Sequence, residues 1–201
     1  MSKGRLEAFS DGVIAILITI MVLELQQPKG VTLSALLSAK MGPSLLLYPL
    51  SFIFLGIYWN NHHHMFHVVH HVNGAVLWAN LHLLFWLSLV PFITEWWGAY
   101  PSAALPTLAY GVVLLCSGIA YTILQRTLVA LEGPQSQLAR AIGRDRKGLL
   151  SLGCYAAAIA IAYWEPWMAD ALYVTVALVW IVPDRRIEKR VQHTHYDSHD
   201  Q

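Results

Sequence analysis

Apolar positions along the chain gather into six runs separated by short polar segments rich in Pro and Gly. The first run starts directly after Asp11 and predicts a helix over about 6–26, ended by Pro28 and Gly30. The second covers about 43–66 and leads into a polar, histidine-rich stretch. The third covers about 75–97, with Pro101 and Pro106 in the turn beyond it, and the fourth about 105–131, closed by Gly133 and Pro134. A polar and basic segment, 135–148, reads as a loop or surface helix. The fifth and sixth runs cover about 149–164 and 167–182, and Pro183 then opens a charged tail, 184–201. A helix crossing the hydrocarbon core of a bilayer needs roughly 20 mostly apolar residues. The pattern therefore predicts an all-α integral membrane protein, a single domain (1–201) of six transmembrane helices with a cytoplasmic tail. Runs five and six are short and carry Glu165 and Asp170 at their junction. They read alternatively as a hairpin that does not fully cross. No internal repeat is visible.

Composition supports this reading. Of 201 residues, 56% are hydrophobic and 12% charged, against about 25% charged in soluble domains. That leaves no room for a separate soluble domain. A net charge of +1 gives nucleic-acid binding no electrostatic support. Cys116 and Cys154 both lie inside apolar runs and read as packing residues rather than a disulfide. The first run lacks a small-residue cleavage site before Glu24 and reads as a retained helix. Basic residues set the orientation. With the N-terminus inside, Lys3, Arg5, Arg126, Arg140, Arg144, Arg146, Lys147, Arg185, Arg186, Lys189 and Arg190 are cytoplasmic, and only Lys29 and Lys40 are outside. Both termini are then cytoplasmic, and Trp96, Trp97, Tyr100, Trp164 and Trp167 form an aromatic belt at the outer interface.

The first helix carries the most informative chemistry. At 100° per residue, Ile16, Thr19, Ile20 and Leu23 fall on one narrow face, with Asp11 nearly opposite Ile16. An apolar stripe of this kind usually packs against neighbouring helices, so geometry alone does not make a pore. The carboxylate of Asp11, inside or beside the membrane, needs partners, which arginine, histidine or asparagine of the second and third spans can supply.

The segment Arg5-Leu6-Glu7-Ala8-Phe9-Ser10-Asp11 has the form R-x-x-x-F-S-D at the start of a first transmembrane helix, and Asn60-Asn61-His62-His63 follows the second. Together with six spans, this resembles the endosomal and lysosomal potassium channels of the transmembrane protein 175 family, specifically their prokaryotic members. Animal members have two six-helix units. One unit resembles the bacterial form, which assembles as a homotetramer. The resemblance implies a pore lined by the first helix, without the TVGYG loop of ordinary potassium channels, and no such loop occurs here. It places a constriction of large aliphatic side chains at Ile16, with further rings at Ile20 and Leu23, and a threonine linked to potassium preference at Thr19. Glu24 then lies at the outer mouth, where an acidic ring can concentrate cations, or it is simply a solvated residue at a helix end. Arg5, Phe9, Ser10 and Asp11 are expected to fasten the helix rather than to touch ions. The implied protein is a potassium-preferring cation channel, weaker for sodium, surrounded by lipid in a bacterial inner membrane, with no cofactor and no catalytic residues.

A histidine cluster is the other conspicuous feature. On a continuing helix, His63, His67, His70 and His71 have the i, i+3 and i+4 spacings that bring imidazoles to one metal ion. A pH-sensing patch is a second reading. The plainer one is a set of interface histidines, some of them bonded to Ser10 or Asp11. Asn80, in the third span, reads as a hydrogen-bonding group between helices. Two rival functions follow: a small metal-ion transporter using the His62–His71 cluster, and a membrane enzyme with a histidine-bound metal. A transporter calls for helix breaks near mid-membrane, and the first span has none. A metal enzyme calls for several histidine pairs, and this chain has one dense cluster plus His82.

Overall fold

In the computed structural model the chain is described over residues 2–25, 27–28, 30–37, 42–101, 103–143 and 145–181. The described residues are helical, with no strand among them. The helices are α1 (Lys3–Ile20, running on into a 3-10 turn, Met21–Glu24), α2 (Leu33–Leu36), α3 (Gly42–His67), α4 (Gly74–Ser88), α5 (Val90–Ala99), α6 (Ala104–Glu132), α7 (Gln137–Ile142), α8 (Arg146–Ala162) and α9 (Pro166–Ile181). The tail 184–201 lies outside the described residues.

Local chemistry sets the boundaries. Among the described residues, side-chain oxygens accept from the orphan N–H groups at four helix starts: Thr32 from Ala35 before α2 (3.2 Å), Asn73 from Val76 before α4 (3.0 Å), Ser136 from Ala139 before α7 (3.1 Å) and Asp145 from Gly148 before α8 (2.8 Å). Gly133 ends α6 at φ +96°, a conformation costly for any residue with a Cβ, while its N–H still bonds to the Val129 carbonyl. Pro91 has no N–H to donate, and the third predicted span accordingly divides at Leu89 into α4 and α5.

Among the described residues, four stretches are long and apolar enough to cross a membrane: Lys3–Leu23, Gly42–His67, Gly74–Ala99 and Ala104–Glu132. They correspond to predicted spans one to four. The fifth and sixth correspond to α8 and α9, of 17 and 16 residues. Each is about 25 Å long, a little short of the ~30 Å hydrocarbon core. The one-turn helix α2 lies between the first two spans, and α7 falls inside the polar segment expected to be a loop or surface helix.

Long α6 is the centre of the bundle. It packs against α4 and α5 on one side and α8 and α9 on the other, while α1 docks on α3 and α4. Lipid is as apolar as a leucine side chain, so close packing and interhelical hydrogen bonds hold such a bundle together. It contains a ring cluster in which Trp97 lies 4.3 Å from Tyr110 and 5.9 Å from Tyr173, centroid to centroid. This corrects the expected position of Trp97. Only 1% exposed, it is a core residue rather than part of an aromatic belt. Tyr100, Trp164 and Trp167 are exposed, as a belt requires.

Candidate functional site

Helix α1 has two unlike faces. Leu6, Ser10, Ile14 and Met21 are buried against the rest of the subunit. The other face is left open: Ile14 is 0% exposed, but Ile16 is 62%, Ile20 40% and Leu23 76%. Residues two apart on a helix point about 200° away from each other, which is why Ile14 and Ile16 differ so sharply. Thr19 lies on the open face. Its hydroxyl donates to the carbonyls of Ala15 and Ile16, both at 3.0 Å, so the lone pairs of its oxygen are available to a cation. The α-helix gives way to a 3-10 turn after Ile20, earlier than the expected end near 26. Leu23 thus belongs to the tightened turn, and the Glu24 side chain lies outside the described residues.

The buried face of α1 is locked by a hydrogen-bond chain that crosses three helices. Ser10 Oγ donates to the Leu6 carbonyl (2.9 Å), and Asn80 Nδ2 donates to Ser10 Oγ (2.9 Å). Asn80 Oδ1 meets His62 Nε2 at 2.8 Å. The Asn80 oxygen can only accept, so His62 carries its proton on Nε2. Ser10, Asn80 and His62 are all buried, and each finds a partner, as the interior of a membrane protein requires. His62 is also stacked on Phe66, with centroids 4.5 Å apart. Beside this chain, Trp59 Nε1 donates to Asp11 Oδ1 at 3.0 Å. The partner of Asp11 is thus an indole rather than the expected arginine, histidine or asparagine. Of the four signature residues, Ser10 and Asp11 join the anchor, whereas Arg5 and Phe9 are exposed on the subunit.

The remaining histidines divide into two groups. His63 and His67 lie one turn apart on α3, with centroids 6.3 Å apart, and His63 also stacks on Trp59. Because α3 ends at His67, the helical spacing expected from His67 to His70 and His71 does not arise. Those two belong to the α3–α4 loop, which Glu132 grips from the end of α6. One Glu132 oxygen accepts the N–H groups of His70 (2.8 Å) and His71 (3.2 Å), and the other meets His70 Nδ1 at 3.0 Å. Among the described residues, no group of three or more His, Cys, Asp or Glu side chains is placed to hold a metal ion.

Two residues of this region were not singled out from the sequence, Trp59 and Glu132. Trp59 lies at the end of the second apolar run, where tryptophan reads first as an interfacial anchor. Glu132 carried no signal, because its partners, two backbone N–H groups and the His70 ring, belong to a loop distant in sequence.

A model of the family described as endosomal/lysosomal potassium channel TMEM175 matches residues 5–91, which contain the whole anchor chain and the open face of α1. A protein of Chryseobacterium sp. named as a potassium channel is 52% identical over 96% of this chain and 99% of its own length. Another so named, from Streptomyces collinus, is 31% identical over 89% of this chain and 91% of its own. The fold is similar to the crystal structure of a lysosomal potassium-selective channel TMEM175 homolog from Chamaesiphon minutus, at a TM-score of 0.77 and 29% identity, covering 90% of this chain and 96% of that one. With ion channels rather than enzymes on every side, a multi-helix membrane architecture and the R-x-x-x-F-S-D helix anchored as described, this chain belongs to the TMEM175 family of endosomal/lysosomal potassium channels.

Proposed function

We propose that the chain is one subunit of a homotetrameric, potassium-preferring cation channel that conducts passively across a bacterial inner membrane. In this reading each subunit crosses six times with both termini cytoplasmic, and four α1 helices surround the ion pathway. The observation that supports it most is the division of α1: one face is fixed by the Ser10–Asn80–His62 chain, and the face bearing Ile16, Thr19 and Ile20 is left exposed by its own subunit. An amphipathic division would offer polar groups to water. Here the open face is aliphatic apart from one hydroxyl, which suits a narrow pathway that gates by dewetting. Ile16 and Ile20 form the constriction, with Leu23 beyond them, and Thr19 oxygens replace part of the hydration shell of a passing ion. Oxygens are few, so discrimination against sodium is modest. Glu24 concentrates cations at the outer mouth. No position in the histidine cluster is needed for conduction.

The test is ion flux from liposomes containing the purified protein, under a potassium gradient and then a sodium gradient. Rapid potassium flux that needs no coupling ion, with slower sodium flux, is the expected result. No flux of either ion over a range of pH would overturn the channel reading.

A further inference from the structure

Between α6, α7 and the start of α8 lies a groove of about 440 Å³, at the end of the molecule where the basic residues gather. Its walls include the apolar side chains of Val129, Ile142, Leu149 and Leu152, and among the described residues two charged ones line it, Arg126 and Asp145. Arg126 stands six residues before the end of α6, about 9 Å along the helix axis. Helix α6 has 29 residues, about 43 Å, against a hydrocarbon core of ~30 Å. With α6 centred on that core, Arg126 falls about 2–3 Å inside its edge, within side-chain reach of the lipid phosphates. Among the described residues its guanidinium has no ion pair and no hydrogen bond. The nearby carboxylate of Glu132 is held by the His70–His71 loop. Asp145 accepts the Gly148 N–H and so remains fixed at the groove, without pairing with Arg126. A guanidinium at this depth calls for a phosphate, and a carboxylate beside it calls for a cation.

We propose that this groove is a binding site for a phospholipid whose headgroup carries both a phosphate and a primary ammonium, the phosphoethanolamine class. The phosphate meets Arg126, the ammonium meets Asp145, and an acyl chain lies along Leu149, Leu152 and Val129. An anionic headgroup without an amine would leave Asp145 facing a phosphate. A choline headgroup has no N–H to donate to it. Assignment to the cytoplasmic leaflet rests on the proposed orientation, and the site itself does not.

Native mass spectrometry of the purified full-length protein with phosphatidylethanolamine, phosphatidylglycerol and phosphatidylcholine of matched acyl chains tests the site. Phosphatidylethanolamine should be retained about fivefold more tightly than phosphatidylcholine, the scale of the one hydrogen bond to Asp145 that choline cannot make. Arg126→Gln should abolish that retention. Asp145→Asn, which keeps the helix cap, should remove only the preference over phosphatidylcholine. If Arg126→Gln does not fold, Leu149→Trp fills the groove from a position that is already 63% exposed and should displace the lipid. Equal retention of all three lipids, a preference that survives these substitutions, stronger retention of phosphatidylglycerol, or displacement by millimolar inorganic phosphate would each overturn the assignment. Retention is read without ion flux, so failure of the channel reading and failure of this site are distinguishable.

Discussion

Asn80 has both a donor and an acceptor committed, and no other side chain of similar size offers that pair in this position. Its Nδ2 satisfies Ser10 and its Oδ1 satisfies His62. Asn80→Ala therefore strands the buried His62 N–H and removes the bond that Ser10 Oγ accepts, leaving Ser10 only its bond to the Leu6 carbonyl. Interhelical hydrogen bonds in membranes contribute about 0.6 kcal/mol on average, but stranding buried partners raises the cost to about 1–2 kcal/mol. The expected outcome is a lower melting temperature in detergent, with dissociation of α1 from the bundle seen as faster proteolysis of the first span. An unchanged melting temperature would remove this chain from the account of the fold. Trp59→Phe should act more mildly. It keeps a ring against His63 and removes only the bond to Asp11, a loss of about 1 kcal/mol. The sequence made Asn80 legible as an interhelical group, because an amide inside an apolar run has few other uses. It did not make the indole of Trp59 legible as the partner of Asp11. Tryptophan in a membrane span reads first as bulk or as an interfacial anchor, and only the approach of α1 to α3 reveals the donor.

Helix α1 is the element whose two faces can be set against each other. Ile14 and Ile16 are the same side chain two positions apart, one buried in the subunit and one open. Ile16→Asn is expected to leave folding intact and raise potassium flux from liposomes, because an amide wets the constriction. Ile14→Asn is expected to do the reverse, burying an unsatisfied amide at a cost of about 1–3 kcal/mol without opening the pathway. If both variants raise flux alike, the open face has no special role. Thr19→Val keeps the branched shape and removes the oxygen, so the ratio of potassium to sodium flux should fall while total flux persists. Periodicity groups Ile16, Thr19, Ile20 and Leu23 on one face, and all four are exposed on the subunit, although Leu23 lies in the 3-10 turn. The end of the helix was less legible. The 3-10 turn from Met21 and the stop of α3 at His67 depend on tertiary partners, among them the Glu132 clamp on the next loop. The metal-like spacing of His67, His70 and His71 failed for that reason.

At the scale of the whole molecule, runs of apolar residues were enough to find the long helices, since a bilayer imposes length and composition together. They were not enough to show how copies meet. A subunit with Phe9, Ile16, Ile20 and Leu23 uncovered on one helix presents an apolar face that lipid can also cover, so exposure alone does not distinguish a pore from a lipid-facing surface. Distance between copies does. Four α1 helices around a common axis bring the same residue of neighbouring subunits within reach of one another, whereas a lipid-facing α1 keeps them apart. In a background with Cys116 and Cys154 replaced by serine, Leu23→Cys is expected to give oxidised, covalently linked subunits in the membrane. A disulfide joins only two chains, so the linked product runs as a dimer, and native-gel migration counts the four. Met21→Cys serves as the control. It is two residues away and buried in its own subunit, and should remain unlinked under the same oxidant. Linking at Met21 and not at Leu23 would mean that the opposite face of α1 meets its neighbours, and would overturn the placement of Ile16 and Thr19 beside the ion.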